Sequence, residues 1–237
     1  NLIQDIIILR KLGLSIFLIH GGGSKISKRL DDLNIKSNFI NGLRITDDKI
    51  IDIVEDILVQ FNKEIVNALK DGSCQARGIT TKEYNIITVK PENNELGFVG
   101  TPTHIKISVL KEIVKANEVP VIAPLGLDKD SQTFNINADT AAGAIAKELK
   151  VRRLLILSDV EGVLNKEKKL IPEINSDQAK QMILDGAISG GMIPKIENCL
   201  DVAKNGVKAV CIIDGRKNHS VLFELLSDKG SGTLIRK

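Results

Sequence analysis

Aromatic residues are scarce in this chain of 237 residues, which has six Phe, one Tyr and no Trp. Proteins that bind single-stranded nucleic acid stack the bases on aromatic side chains, so the composition argues against such a surface. The formal net charge of +3, from 33 Lys and Arg against 30 Asp and Glu, is also too balanced for a dedicated nucleic-acid-binding protein. We therefore expect no nucleic-acid partner, and a core built from Ile, Leu and Val.

Cysteine and long apolar runs are scarce too. The three cysteines, Cys74, Cys199 and Cys211, have neither CxxC nor Cys/His ligand spacing, which argues against a disulfide framework and a zinc site. No apolar run approaches the roughly 18 residues of a membrane span, and no signal-peptide pattern opens the chain. The sequence predicts a cytoplasmic protein with reduced thiols, no membrane partner and no metal held by protein ligands.

Three common catalytic motifs are absent. The chain has no GxxxxGK[ST] phosphate loop, no GxGxxG dinucleotide fingerprint and no GxSxG nucleophile elbow. An HGGG segment at residues 20–23 is present, and some hydrolases build an oxyanion hole from that segment. Those hydrolases also need the GxSxG nucleophile elbow. Because this chain has no GxSxG, we exclude a hydrolase oxyanion hole.

Apolar runs of strand length alternate with helical patterns along the chain. Residues 15–19 (SIFLI), 119–124 (VPVIAP) and 154–157 (LLIL) are typical of buried strands, and residues 50–69 have apolar side chains at helical spacing. This alternation predicts an α/β fold, an open αβα sandwich with a mostly parallel central sheet. Ligands bind at the carboxyl ends of strands in such sheets, and the glycine-rich loops lie there.

Three loops in the first 140 residues contain candidate site residues. The three consecutive glycines of residues 20–23 exceed the needs of a tight turn and leave N–H groups beside a helix N-terminus. Arg44 can recognise a carboxylate through two hydrogen bonds, although a single loop Arg is usually solvated. Asn135, Asn137 and Asp139 open an Ala-rich helix with more polar groups than one helix cap requires.

Two further loops lie in the last third of the chain. Residues 158–163 (SDVEGV) directly follow a predicted strand, and residues 190–195 (GGMIPK) bring Lys195 to the start of a helix. An ammonium group there can approach phosphate oxygens. Lys is the commonest surface cation, so this signal is weak by itself. The order and combination of the five loops indicate the function of the chain more strongly than any single loop does.

Taken together, HGGG, NGLRIT, NINADTAA, LSDVEGVL, GGMIPK and DGRKNHSVLFELL resemble the motifs of the amino-acid kinase family over nearly the whole chain. The likeness is strongest to members that phosphorylate N-acetyl-L-glutamate. It implies transfer of the ATP γ-phosphoryl group to the side-chain carboxylate of that compound, a step of arginine biosynthesis. It also implies ATP and Mg²⁺, with the metal held chiefly by the ATP phosphates.

The resemblance implies roles for the residues of the first three loops. Gly22 and Gly23 would donate backbone N–H groups to the migrating phosphoryl group. Arg44 would hold the α-carboxylate of the acceptor, and Asn135 would bind its acetamido group. Asp139 would act as a catalytic residue by orienting the lysine described next.

The nucleotide side of the reaction would use the last two loops. Lys195 would stabilise the transition state as a catalytic residue. The resemblance implies that ATP contacts Ser158, Asp159, Val160, Gly162, Val163, Met192, Ile193 and Lys195.

The resemblance further implies two lobes joined by one continuous sheet. Residues 1–150 would bind N-acetyl-L-glutamate and dimerise, and residues 151–237 would bind ATP. The assembly would be a homodimer or a hexamer made as a trimer of dimers. The C-terminal stretch also resembles members inhibited by arginine, in which Glu224 and Gly230 would form an L-arginine effector site.

One family motif is missing. Members begin with a strand ending in K-x-G-G, whose lysine is a second cationic stabiliser, and this chain has no K-x-G-G. Because the chain does not begin with Met, we expect that strand upstream of Asn1. Two alternatives stay open: a related kinase for an N-blocked aminoadipate, and a catalytically impaired regulatory relative that binds arginine.

Overall fold

The computed structural model describes all residues from Asn1 to Lys237. Its eight α-helices are α1 (Leu2–Lys11), α2 (Gly23–Asp32), α3 (Asp48–Asp71), α4 (Ile107–Lys115), α5 (Ala138–Leu149), α6 (Ser176–Leu184), α7 (Met192–Lys204) and α8 (Ser220–Leu226). Its thirteen strands are β1 (Leu18–Ile19), β2 (Phe39–Ile40), β3 (Leu43–Arg44), β4 (Ala76–Ile79), β5 (Ile87–Pro91), β6 (Gly100–Ile105), β7 (Val119–Ile122), β8 (Leu125–Leu127), β9 (Thr133–Asn135), β10 (Arg153–Ser158), β11 (Glu173–Ile174), β12 (Ala209–Asp214) and β13 (Gly232–Ile235). None of the helices has both the length and the apolar character that crossing a bilayer requires.

The backbone divides into two compact units. The N-terminal unit is Arg10–Ala141, and the C-terminal unit combines Asn1–Leu9 with Ala142–Lys237. The division falls inside α5, nine residues before the predicted boundary at residue 150. The inclusion of the first nine residues in the C-terminal unit was not predicted from the sequence.

A parallel three-stranded sheet forms the centre of the N-terminal unit, in the order β1-β7-β4. Val121 of the central strand pairs with Leu18 on one side and Gly78 on the other. All four residues of β7 are buried, as expected for a strand covered on both faces. Because the strands are parallel, the loop that follows β1 begins at the same edge as the loop after β4.

Helices α2 and α3 hold the loop that follows β1. Asp47 caps α3, and its carboxylate accepts hydrogen bonds of 3.0 Å from the backbone N–H groups of Lys49 and Ile50. The two helices pack through a buried aliphatic cluster made by Ile26, Leu30, Ile50, Val54, Leu58, Ala123 and Leu125. This cluster places the start of α2, and the glycines before it, against α3.

A second sheet of the N-terminal unit has the order β6-β5-β8-β9. Strands β8 and β9 are antiparallel, with Leu125 opposite Asn135. Val99 also forms an isolated bridge with Asn135. These pairings fix the position of Asn135 at the end of β9.

The C-terminal unit is built on the sheet β10-β12-β13-β11. Strands β10 and β12 are parallel and in register from Arg153 opposite Ala209 to Ser158 opposite Asp214. The chain therefore leaves both strands at neighbouring points on one edge of the sheet.

The predicted α/β class with mostly parallel central strands is confirmed, whereas one continuous sheet, completed by the strand expected upstream of Asn1, stays a prediction. The strands form four separate hydrogen-bonded sheets. A sheet continues only where strands share a ladder of backbone hydrogen bonds, and β1 pairs with β7 alone whereas β10 pairs with β12 alone. Each of these two strands therefore ends its own sheet.

A fully buried hydroxyl group joins β13 to the loops beside it. Thr233 is 0% exposed, its Oγ1 donates to the carbonyl of Ile171 at 2.7 Å, and the same atom accepts from the N–H of Val163 at 2.8 Å. Gly162 lies directly against this contact, since a Cβ added there would be 2.6 Å from Thr233 Oγ1. The hydroxyl thus holds the end of the 158–163 loop.

Replacing Thr233 with Val should lower the free energy of unfolding by about 1–3 kcal/mol, because a buried N–H and a buried C=O lose their partner without a change of side-chain volume. Urea unfolding measures this loss, and we expect the m-value to stay unchanged. Thr103→Val is the matched control, because the Thr103 hydroxyl donates to the Thr88 carbonyl from an exposed position. Equal losses in the two variants would contradict the prediction.

Candidate functional site

A cleft of about 190 Å³, open to solvent, lies in the N-terminal unit. It brings together the four residues that the sequence predicted on the acceptor side, namely Gly22, Gly23, Arg44 and Asn135. Apolar side chains, among them Leu58, form part of its wall. A concave cleft with an apolar wall and a few polar groups is typical of a small-molecule site.

The glycines supply backbone donors to this cleft. Gly22 is the N-cap residue of α2, and no side chain caps this helix. The backbone N–H groups of Gly22 and Gly23 have no acceptor within the chain. Free N–H groups at the start of a helix favour an anion, so this part of the cleft suits a phosphoryl or carboxylate group.

Arg44 lies on β3 of a hairpin with a two-residue turn, and not in a loop as the sequence predicted. Strands β2 and β3 pair here, with Phe39 opposite Arg44, and both turn residues have positive φ angles, 50° at Asn41 and 81° at Gly42. Asn-Gly is the preferred dipeptide for this turn, which was the signal available in the sequence. The hairpin places the guanidinium carbon of Arg44 over the Phe39 ring, 4.6 Å from the ring centroid.

The charge of Arg44 is buried without an acidic partner. The residue is 7% exposed, and its guanidinium donates to the hydroxyl of Ser37, the carbonyl of Gly23 at 3.1 Å and the hydroxyl of Ser27 at 2.9 Å. All three acceptors are neutral. Burial lowers the pKa of Arg44, and the charge of Asp31 acts in the opposite direction. A buried guanidinium with only neutral acceptors is suited to an incoming carboxylate.

Thr46 and Gly97 hold the backbone that follows Arg44. The Thr46 hydroxyl donates to the Arg44 carbonyl at 2.9 Å, and the Thr46 carbonyl accepts from the N–H of Phe98 at 2.7 Å. Gly97 has a φ of 66°, and a Cβ there would be 2.4 Å from the Thr46 carbonyl oxygen. We did not predict either residue, because the contact joins segments that are distant in the sequence.

The polar residues around the start of α5 have different roles. Asn137 caps the helix, because its Oδ1 accepts from the N–H of Asp139 at 3.0 Å and of Thr140 at 3.1 Å. Asn135 lines the cleft, and Asp139 lies in the first turn of α5. The catalytic role of Asp139 stays a prediction.

The C-terminal unit contains the residues predicted to bind nucleotide. Five of them, Ser158, Asp159, Val160, Gly162 and Val163, lie at the end of β10 and in the loop that follows. The N–H of Gly215 donates to the Ser158 carbonyl at 2.8 Å, and Lys217 forms an ion pair of 2.7 Å with Glu161. The loops after β10 and β12 are therefore bonded to each other.

Asp214 and Arg216 strengthen the second of these loops and were not predicted as site residues. The Arg216 guanidinium donates to both carboxylate oxygens of Asp214 at 2.9 Å. This pairing lowers the pKa of Asp214 to about 2, so the carboxylate stays ionised. Both residues belong to the DGRK segment, but the sequence contained no signal for their pairing.

Met192, Ile193 and Lys195 lie in the first turn of α7. The turn before the helix is tight, because Met192 donates to the Ser189 carbonyl and Ile193 to the Gly190 carbonyl, both at 3.2 Å. Gly190 has a φ of 55°, which favours glycine there. Lys195 is half-buried at this helix start.

Glu224 and Gly230 are brought together beside α8. Glu224 Oε2 accepts from the N–H of Ser231 at 2.7 Å, and a Cβ at Gly230 would be 2.9 Å from the same oxygen. Burial, and then a hydrogen bond with Glu224, raise the pKa of the Cys211 thiol. The role of this group as an arginine effector site stays a prediction.

A sequence profile of the amino acid kinase family matches residues 1–214. The chain belongs to the amino-acid kinase family. The parallel strands, and the glycine loops that follow β1 and β10, are therefore features of a chain from this family.

Named relatives agree with this assignment. An acetylglutamate kinase of Pelagibacter ubique is 69% identical over 235 residues, which are 99% of this chain and 82% of that protein. An acetylglutamate kinase of Methylobacterium nodulans is 45% identical, over 99% of this chain and 82% of the relative. The crystal structure of smu.665 from Streptococcus mutans UA159 superposes with a TM-score of 0.87 at 29% identity, over 99% of this chain and 91% of that one.

The two glycines at the start of α2 should differ in their tolerance of a side chain. A Cβ at Gly22 would be 2.6 Å from Leu58 Cδ2, whereas a Cβ at Gly23 would have nothing within 4 Å. Gly22→Ala should therefore lower the free energy of unfolding by about 1–3 kcal/mol, the usual cost of overpacking a buried contact. Urea unfolding tests this, with Gly23→Ala as the control that should retain its stability. An unaffected Gly22→Ala would show that Leu58 moves aside.

Proposed function

We propose that this chain transfers the γ-phosphoryl group of ATP to the side-chain carboxylate of N-acetyl-L-glutamate, in arginine biosynthesis. The product is an acyl phosphate, N-acetyl-L-glutamyl 5-phosphate. The observation that carries the proposal is the buried Arg44, which has only neutral acceptors and shares its cleft with the N–H groups of Gly22 and Gly23. The two relatives named acetylglutamate kinase support the same reaction.

The acceptor is proposed to bind in the N-terminal unit. Arg44 pairs with the α-carboxylate, because its planar guanidinium matches a carboxylate in a bidentate geometry. Asn135 hydrogen-bonds the acetamido group, since its amide supplies both a donor and an acceptor. The apolar part of the cleft wall accommodates the acetyl methyl group. These contacts bind the acceptor by two polar ends and leave its side-chain carboxylate for the reaction.

The glycine loop is proposed to act on the phosphoryl group itself. In phosphoryl transfer the protein mainly positions the reactants and neutralises negative charge on the equatorial oxygens. The N–H groups of Gly22 and Gly23 can donate to those oxygens from fixed positions at the start of α2. Donors that are already oriented need no reorganisation when the charge develops, so they favour the transition state.

Nucleotide binding is assigned to the C-terminal unit. The 158–163 loop and the first turn of α7 bind ATP, and Lys195 stabilises negative charge on the transferred phosphoryl group. Lysine suits this role because its ammonium group is a compact charge on a flexible stem. The bonds that join the 158–163 loop to Thr233 and Gly215 restrict the loop before ATP binds.

Magnesium is proposed to enter with ATP. No group of three or more His, Cys, Asp or Glu side chains is arranged to hold a metal ion. Mg²⁺ commonly keeps several waters and binds through substrate phosphates and one or two carboxylates, so this donor set fits a metal that the nucleotide carries.

The decisive experiment measures ADP release from MgATP with different acceptors. N-Acetyl-L-glutamate should stimulate release, whereas free L-glutamate and L-aspartate should not, because they lack the acetamido group that Asn135 binds. A coupled assay for ADP and detection of the acyl phosphate by hydroxylamine measure the two products.

N-Acetyl-L-2-aminoadipate serves as the competing acceptor in this assay, since it is one methylene longer. Preference for that compound would replace the proposed substrate by the aminoadipate alternative. No stimulation by any acceptor in the full-length protein, with ATP binding retained, would favour the impaired regulatory relative.

Arg44→Ala should weaken acceptor affinity by about 10- to 100-fold, the loss expected when hydrogen bonds to a charged group are removed. The KM for MgATP should change little, because Arg44 is assigned to the acceptor. Arg29→Ala is the control, since Arg29 is an exposed residue of α2. Steady-state kinetics with each substrate varied separate the two KM values. An unchanged KM for the acceptor would refute the role of Arg44.

A further inference from the structure

His20 lies directly before the three glycines and has no role in the reaction described above. It is 6% exposed, and both ring nitrogens have polar neighbours. Nδ1 is 3.0 Å from the carbonyl oxygen of Gly21, and Nε2 is 3.1 Å from Nδ2 of Asn62 on α3. The ring thus joins the glycine loop to a helix that begins 28 residues after His20.

The direction of these hydrogen bonds follows from the backbone of β7. Asn62 is 1% exposed, and its Nδ2 is 2.9 Å from the carbonyl oxygen of Val121. A carbonyl oxygen can only accept, so the side-chain NH₂ group of Asn62 must face it. The second hydrogen of that group reaches Nε2 of His20, which must therefore be the unprotonated nitrogen. The ring proton is then on Nδ1 and donates to the Gly21 carbonyl.

The surroundings keep the ring neutral and in one orientation. Burial lowers the pKa of His20, and the hydrogen bond to Gly21 opposes this effect only in part. The edge of the ring meets Phe61 at a centroid distance of 5.2 Å and an interplanar angle of 82°. A neutral ring with its proton on Nδ1 matches the hydrogen bonds on both of its sides.

The orientation of the Gly21 carbonyl determines that of the next N–H group. In a trans peptide the C=O and N–H bonds point in opposite directions, and the chain has no cis peptide bond. Glycine on both sides of this peptide would otherwise let it rotate readily. Holding the Gly21 carbonyl therefore holds the N–H of Gly22 in one direction.

We propose that Val121, Asn62 and His20 form a hydrogen-bonded relay that holds the Gly21–Gly22 peptide in the orientation needed for phosphoryl transfer. His20 and Asn62 are positioning residues, since neither contacts the reacting atoms. The inference rests on the proposed role of the Gly22 N–H. It assigns to the histidine of the HGGG motif a specific tautomer and a specific acceptor.

Two substitutions of His20 distinguish positioning from packing. Asn places its amide nitrogen near the position of Nδ1 and keeps the donor to Gly21, but it cannot reach Asn62. Gln extends to the position of Nε2 and keeps the contact with Asn62, but it loses the donor to Gly21. Both variants remove the ring and its contact with Phe61, so a purely structural role predicts equal effects.

His20→Gln should lower kcat by about 10- to 100-fold, somewhat less than the 10²–10³-fold loss of a deleted transition-state donor, because the Gly22 N–H is misdirected rather than removed. His20→Asn should lower kcat by only about 3- to 5-fold, because this variant keeps the donor to the Gly21 carbonyl and the Gly22 N–H stays directed. KM for both substrates should stay within about 3-fold, since the donor acts mainly in the transition state. His104→Gln, at an exposed position, is the control. Equal losses of kcat in the two His20 variants would overturn the proposal.

A measurement without substrate tests the relay separately. Long-range ¹H–¹⁵N spectra of the unliganded protein at pH 7.5 report which ring nitrogen has the proton. The chain has three histidines, and the signals missing from His20→Asn identify those of His20. The neutral ring with Nδ1 protonated is expected; a proton on Nε2 would overturn the relay. If the wild-type protein failed as a kinase, this result would still decide the tautomer.

Discussion

The buried positive charge of Arg44 is the constraint on which the N-terminal unit depends. A guanidinium removed from water is costly unless each donor finds an acceptor, and here the acceptors are two hydroxyl groups and a carbonyl. The hairpin of β2 and β3 and the contact of Thr46 with Gly97 hold Arg44 itself, and α2 supplies two of the three acceptors. The surrounding loops thus satisfy the hydrogen bonds of the cation but leave its charge for a ligand to neutralise.

In both units a buried polar side chain restrains the backbone of a glycine-containing loop. In the C-terminal unit the Thr233 hydroxyl holds Val163 beside Gly162, and in the N-terminal unit Asn62 and His20 hold Gly21. Glycine lets the backbone approach a phosphate closely, but it also leaves the peptide free to rotate. A buried polar side chain removes that freedom without occupying the space that the ligand needs.

The sequence predicted what depends on local chemistry. Strand and helix alternation, the glycines after β1 and the choice of Arg44 and Asn135 all follow from short segments, and the structure brings those residues to one cleft. The hairpin at Asn41 was missed although its dipeptide was a local signal. The pairings of Thr233 and Thr46 were not predictable, because each joins segments far apart in the chain. The order of strands in the sheets was not predictable either, because adjacency of strands is a tertiary property.

Helix α3 contacts the glycine segment and the neighbouring strand β4 through side chains spaced four residues apart. Leu58 packs against Gly22, Asn62 binds His20, and Val66 lies beside the Gly78 position. These residues share one face because four residues make slightly more than one helical turn. Inserting one residue between Asp47 and Leu58 would turn that face by about 100° and misplace all three contacts together. The loop that α3 supports therefore constrains the number of residues in the first turns of the helix, whereas a substitution on its exposed face leaves these three contacts in place.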